Sequence, residues 1–226
     1  ISDGPDGYDT VEWLAQQPWS SGKIGTFGLS YAAHTQAALA CLNPRHLACM
    51  WLECGGFSDA FLSGCRNGGA FELRQVTWAF RGAKESAEIH GHPLGDSPGD
   101  PSLAKGAIEN QDIHQWFQYM PWKKGQSPLR WTPDYENYLL ELWGHEIFDD
   151  YWRQLGLSAS TYYQEFSDVP QVHMGCWYDP YARTTTDNYV ALSGAKTSPV
   201  SLLMGPWTHG GHSLTYSGDI DLGGQA

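Results

Sequence analysis

Three residues of the types used for nucleophilic acyl transfer stand at separate points of this 226-residue chain: Ser30, Asp179 and His209. A serine hydroxyl is a poor nucleophile near neutral pH. It needs a base to take its proton, and the base needs a carboxylate to orient it. Ser30 is the centre of Gly28-Leu29-Ser30-Tyr31-Ala32. Small residues two positions either side of a serine suit a sharp strand-to-helix turn, where strand and helix pass close together. Ala32 departs by one methyl from the commoner pattern, which has glycine at both places.

The flanking elements agree with that placement. Lys23-Ile24-Gly25-Thr26-Phe27 reads as a strand, and Tyr31 to Leu42 reads as an alanine-rich helix stopped by Asn43-Pro44. Before the strand, Tyr8 to Gln17 carries Tyr8, Val11, Leu14 and Ala15 on one helical face, starting at Asp6 or Asp9. After the helix, the apolar run 47–52 reads as a second strand, and near-continuous apolar runs fit strands buried on both faces. Towards the end of the chain, 170–176 and 199–204 are strand candidates separated by a helix-capable stretch, 184–192. Asp179 lies just beyond the first of these strands and His209 just beyond the second. In open α/β sheets, site residues come from loops at the carboxyl ends of strands. The order serine, aspartate, histidine is that of α/β-hydrolases.

Other residues compete for these roles. Asp187 falls in the helix-capable stretch, where a carboxylate is usually solvated, and Asp168 precedes its strand, at the wrong edge. His212 is a rival to His209 that spacing leaves open. His173 sits inside a strand and reads as a hydrogen-bonded core histidine, and His90 and His92 read as surface residues of a Gly/Pro-rich loop. As a metal pair, His209 and His212 lack a nearby carboxylate or cysteine at ligand spacing, so no metal is expected there.

Between the two core-like parts, 1–57 and 166–226, the segment 58–165 has a different character. It holds six of the eleven tryptophans, with helical patches at 71–81, 135–143 and 147–155 and no convincing strand. The expectation is an α/β fold with a parallel sheet and a helical insertion.

Composition excludes several classes. The net charge is −12 and the only dense basic spot is Lys123-Lys124, so a nucleic-acid partner is not expected. No apolar run is long enough to span a membrane. Cysteines 41, 49, 54, 65 and 176 form no C-x-x-C pair and read as reduced thiols, which favours a cytoplasmic protein. Oligomeric state is not legible.

The segments Asp6-Gly7-Tyr8-Asp9-Thr10-Val11-Glu12-Trp13-Leu14, Gln17-Pro18-Trp19, Gly22-Lys23-Ile24-Gly25 and Gly28-Leu29-Ser30-Tyr31 resemble bacterial cocaine-esterase-like hydrolases. That group is related to X-prolyl dipeptidyl-peptidases, α-amino-acid ester hydrolases and glutaryl acylases. Gly175-Cys176-Trp177-Tyr178-Asp179 and Gly205-Pro206-Trp207-Thr208-His209 resemble the segments carrying the family's acid and base. The likeness covers both ends well and the middle loosely. It implies Ser30 as nucleophile, Asp179 as acid, His209 as base and the Tyr31 backbone N–H as an oxyanion donor, with no cofactor and a small ester or amide as substrate. A carboxylesterase is the favoured reading; a dipeptidyl-peptidase, an α-amino-acid ester or β-lactam acylase, an enzyme transferring the acyl group to an amine or alcohol, and a non-catalytic binding protein are the alternatives. The insertion would act as a cap, with Trp116, Phe117, Tyr119, Trp122 and Trp177 as candidate substrate contacts. Packing of the cap's own core is the competing role for its aromatics. Because such enzymes have strands before the elbow, a tyrosine donor in a preceding loop and a C-terminal jelly roll, the chain reads as a fragment. The expected sheet order is 23–27, 47–53, 170–176, 199–204, with the elbow strand outermost.

Overall fold

A computed structural model describes residues 2–90 and 106–224. They fall into two compact units, one of residues 1–68 and 148–226, the other of residues 69–147. The loop 91–101 and His92 lie outside the described residues, as does the side chain of His90.

The first unit is built on helix α1 (Asp3–Ala15), strand β1 (Ile24–Leu29), helix α2 (Tyr31–Ala40) and strand β2 (Leu47–Glu53). The four strands run parallel in the order β1-β2-β3-β4, where β3 is Gln171–Tyr178 and β4 is Val200–Thr208. This is the expected order, and β1 is outermost among the described residues. A further helix joins β3 to β4, Ala182–Ala195, rather longer than the stretch 184–192.

α1 begins earlier than its apolar face predicts. Asp3 and Asp6 lie in its first turn, where carboxylates complement the partial positive charge of a helix start. Gly4 and Gly7 let it approach α2: a Cβ on Gly4 would lie 3.2 Å from the Ala38 carbonyl oxygen, and one on Gly7 would lie 3.2 Å from Leu39 Cβ. α2 ends at Ala40, and the chain leaves it through Asn43, whose φ of 49° is left-handed, a conformation asparagine tolerates better than most residues.

The main core joins Val11, Ala33, Ala37, Leu39, Ala40, Met50, Leu52, Phe166 and Leu192, with Ile24 and Val200 packed against it. The helices therefore cover one face of the sheet. Within that face the buried Gln36 bridges β1, α2 and β2: it accepts from Thr26 Oγ1 at 2.8 Å and donates to the carbonyls of Ala32 and Trp51. The opposite face departs from the expectation of strands buried on both sides. β1 alternates, and Phe27 on its outer side is 85% exposed, with Trp51 and Leu203 also outward and exposed.

Segments 58–68 and 148–165, expected to belong to the insertion, belong to the first unit. Backbone hydrogen bonds clamp them together: Ala60 N to Leu157 O at 2.8 Å, Ala159 N to Phe57 O at 3.0 Å and Ser160 N to Ser58 O at 2.9 Å. The patch 147–155 is not a helix but a run of turns. Asp149 Oδ1 takes the Tyr151 N–H at 3.1 Å, and an aspartate that bonds the backbone two residues on diverts it from the helical pattern.

The second unit pairs helix α3 (Leu73–His90) with α4 (Pro133–Gly144). Its core holds Val76, Ala79, Phe80, Ala83, Trp122, Leu129 and Leu139. The buried carboxylate of Glu136 is satisfied by Ser127 Oγ at 2.6 Å and the Gly125 N–H.

The contact that fixes the elbow is Gly28 against Ala32, where a Cβ on Gly28 would lie 2.5 Å from Ala32 Cβ. Gly28→Ala is expected to destabilise by roughly 1–3 kcal/mol, as over-packing does. Gly194→Ala, inside the helix Ala182–Ala195 with nothing within 4 Å of the added carbon, is expected to stabilise by about 0.5–1 kcal/mol. Urea unfolding of the two variants checks both signs.

Candidate active site

Ser30 lies between β1 and α2 with φ 61° and ψ −118°, a conformation that a residue with a Cβ adopts only under strain. The surroundings hold it there. Its N–H donates to the Glu53 carbonyl at 2.9 Å, and its own carbonyl accepts from Ala33 and His34. A Cβ on Gly55 would lie 2.6 Å from that carbonyl oxygen, so the chain after β2 must be bare where it passes the elbow. The next residue, Tyr31, is tied to α1 by its hydroxyl, which donates to Asp3 Oδ2 at 2.8 Å. Burial, with Asp3 adding to it, pushes the Tyr31 phenol up to about 12.

Asp179 follows β3 immediately, and its side chain has no exposed surface. One carboxylate oxygen accepts the Tyr181 N–H at 2.6 Å; the other lies 2.6 Å from Nδ1 of His209. An ionised carboxylate only accepts, so Nδ1 carries the proton and Nε2 of a neutral His209 is left with a free lone pair. His209 follows β4 immediately. The turn it occupies reaches the elbow: a Cβ on Gly210 would lie 3.2 Å from Cδ2 of Leu29, the residue before Ser30. A ring contact chain makes a second link. Tyr31 meets His34 edge-on, His34 meets Tyr181 edge-on, and Tyr181 lies 5.4 Å from the His209 ring centroid. Among the described residues the Ser30 hydroxyl makes no hydrogen bond. In a site without substrate, such contacts are commonly long.

The rivals have other partners. His212 Nδ1 lies 2.6 Å from Glu53 Oε1, so the two neighbouring histidines turn to different carboxylates. Asp168 is held by Thr197 and Ser198, whose N–H and hydroxyl groups keep its carboxyl well below the usual range. Asp187 faces Arg183 one helical turn away. His173 is fully buried with Nε2 3.0 Å from Gln171 Oε1, and burial pushes its pKa down to about 4.

The candidate substrate contacts divide between the two units. Trp177 is at the end of β3 and 60% exposed. Trp122 is in the core of the second unit, where its Nε1 donates to the Trp116 carbonyl; Trp116 and Phe117 pack on that core, and Tyr119 is largely exposed.

Several neighbours of the site escaped sequence reasoning. His34 stacks on Phe57 at 3.7 Å between centroids and accepts the Gly56 N–H at Nδ1. Cys54, at φ 49°, has its sulfur 3.4 Å from that of Cys176. Burial, the Cys176 contact and Asp179 raise the Cys54 thiol. The one available signal was position, since all follow or face the ends of strands.

With this geometry in place, comparison with known proteins is decisive at the level of family. The X-Pro dipeptidyl-peptidase (S15) family profile matches residues 2–211. The chain belongs to this family. A Mycobacterium bovis protein whose name carries the words serine esterase is 26% identical over 237 residues, covering 91% of the chain and 35% of that protein. The S15 chain thus spans about a third of the length of the curated relatives it matches. Among solved structures, an aminopeptidase from a marine sediment Thaumarchaeota archaeon aligns with a TM-score of 0.68 at 17% identity, covering 98% of the chain and 35% of that structure. A CocE/NonD family hydrolase from Staphylococcus aureus aligns with a TM-score of 0.54 at 21% identity, covering 88% and 28%. These structural likenesses carry the fold: the four-stranded parallel sheet is part of an α/β-hydrolase architecture.

Two outcomes follow. Ser30→Gly is expected to be more stable than Ser30→Ala by about 1 kcal/mol or more, because glycine relieves the positive φ; thermal unfolding of the pair measures it. For His173 the folded pKa is depressed, so the unfolded chain binds the proton first on acidification. Its contribution to stability is full above about 6.5 and lost as pH falls towards about 4. The loss of stability across that window should be shallower in His173→Gln, read by urea unfolding at stepped pH.

Proposed function

We propose that this chain carries the nucleophile, base and acid of a serine hydrolase that cleaves an ester or amide through an acyl-enzyme. The observation that carries the reading is the strained Ser30 turn at the same end of the sheet as the His209–Asp179 pair, whose heavy atoms are 2.6 Å apart.

In the proposed reaction Ser30 Oγ bonds to the substrate carbonyl carbon while its proton passes to Nε2 of His209. Asp179 holds the proton on Nδ1 and stabilises the imidazolium. The oxyanion is met by the backbone N–H of Tyr31, at the start of α2. Collapse breaks the carbonyl–leaving-group bond, and the leaving group departs with the proton from Nε2. Water then repeats the sequence, giving its proton to His209 and returning Ser30 with its hydroxyl. The cycle needs no oxidant, reductant or cofactor. Trp177, exposed two residues before Asp179, is the aromatic best placed to touch substrate.

The name of the mycobacterial relatives favours ester cleavage, and hence a carboxylesterase of the cocaine-esterase-like kind. The family description favours a second reading, cleavage of a peptide bond after proline. Both use the same residues.

A fluorophosphonate probe applied to the full-length protein is expected to label Ser30, located by peptide mass spectrometry. Ser30→Ala should abolish labelling and lower aryl-ester hydrolysis by several orders of magnitude. Asp179→Asn should keep the fold and lower the rate by about 10³–10⁴ through loss of the correct tautomer. Labelling elsewhere, or unchanged hydrolysis in Ser30→Ala, would place the nucleophile outside the elbow. A protein that folds but neither labels nor hydrolyses is a binding module.

A further inference from the structure

The loops bearing Asp179 and His209 share their place with a thiol that the hydrolytic reading does not use. Cys54 follows β2 and is completely buried. One ligand-type atom from each of Cys54, Asp179 and His209 lies within 4.8 Å of the other two. The second thiol, Cys176, stands 3.4 Å from the first. We propose that Cys54, Asp179 and His209 form a binding site for one thiophilic divalent cation of the zinc and cadmium class.

The donor set selects that class. Sulfur, imidazole nitrogen and carboxylate oxygen together suit zinc or cadmium, whereas magnesium and calcium take oxygen alone. The spacing is close to what is needed. Tetrahedral zinc with bonds of about 2.0–2.3 Å sets its ligand atoms roughly 3.3–3.7 Å apart. With all three atoms within 4.8 Å of one another, no separation must close by more than roughly 1 Å, and the imidazole Nδ1 and carboxylate oxygen, 2.6 Å apart, must part by slightly less. Charge favours the cation over the competing fate of this dithiol, a disulfide. A thiolate must form before either fate; the Asp179 carboxylate within 4.8 Å opposes one standing alone and attracts a cation, and a bound cation removes the thiol proton outright. A thiolate, a carboxylate and a neutral imidazole also balance a charge of 2+ without remainder.

On binding, the Cys54 S–H bond breaks, the sulfur bonds to the metal and the proton goes to solvent. The metal displaces the Nδ1 proton, which moves to Nε2, and the fourth position is left to water. This tautomer cannot accept a proton at Nε2. If the serine-hydrolase reading holds, on which this one consequence rests, the cation is an inhibitor that acts by capturing the base and acid together.

The test uses the full-length protein, reduced and freed of metal with a chelator. Calorimetric titration with Zn²⁺ is expected to show one saturable site per chain, and Cd²⁺ is expected to raise the ultraviolet thiolate-to-cadmium absorption. Cys54→Ser and Asp179→Asn should each weaken binding at least about tenfold while keeping the native circular dichroism; where one of them fails to fold, the other decides. Cys49→Ser, altering an exposed cysteine of β2, should bind as the parent does. No saturable site in the parent, unchanged affinity in the folded site variants, or loss in Cys49→Ser would overturn the proposal. Saturating Zn²⁺ should also suppress fluorophosphonate labelling of Ser30, with recovery on chelation. A metal-free protein that never labels refutes the hydrolase reading alone, because calorimetry still decides the cation site. Full labelling with the site saturated would refute the proposed geometry.

Discussion

Backbone crowding around residue 30 governs the first unit. β1, the elbow, α2 and the chain after β2 meet where two positions have no room even for a methyl: a Cβ on Gly28 would press on Ala32, and one on Gly55 on the Ser30 carbonyl. The hydrogen bond from Ser30 N–H to the Glu53 carbonyl locks the turn to β2. Cys54, the next residue, passes its N–H to the Met174 carbonyl at 2.7 Å and so locks β2 to β3. Strain at φ 61° on Ser30 and φ 49° on Cys54 persists because both sides of each turn are pinned. The elbow and the register of the neighbouring strands are therefore one constraint.

Strand ends convert that constraint into a site. β3 runs straight into Asp179 and β4 into His209, so both side chains emerge at the edge where Ser30 is held. The pair beside it, Glu53 with His212, repeats the carboxylate–histidine motif and holds the remainder of the loop after β4. Two such pairs at one sheet edge leave each histidine a single carboxylate.

Much of this was legible in the residues, because strand, turn and helix around Ser30 and strand ends before Asp179 and His209 are local patterns. The strand order also followed, through the resemblance. What was missed depends on partners distant in sequence. α1 starts at Asp3 because Gly4 and Gly7 fit against α2, a fact that periodicity does not contain. Residues 147–155 carry a helical apolar pattern, but the Asp149 side chain competes for the backbone. Phe27 and Trp51 look like core residues, yet the helices lie on the other face. Glu53 ends an apolar strand and Cys54 follows it as one more small residue; nothing local announces His212 or Cys176 as their contacts.

The clamp between 57–60 and 157–160 has an evolutionary consequence. The sheet experiences residues 69–147 as an excursion that leaves and returns at one fastened neck. Loop-closure entropy grows only slowly with length, each doubling costing about 0.6 kcal/mol. The excursion can thus lengthen, shorten or change its sequence while strand register and the elbow stay as they are. Drift and selection can act on that segment independently, on a schedule of their own.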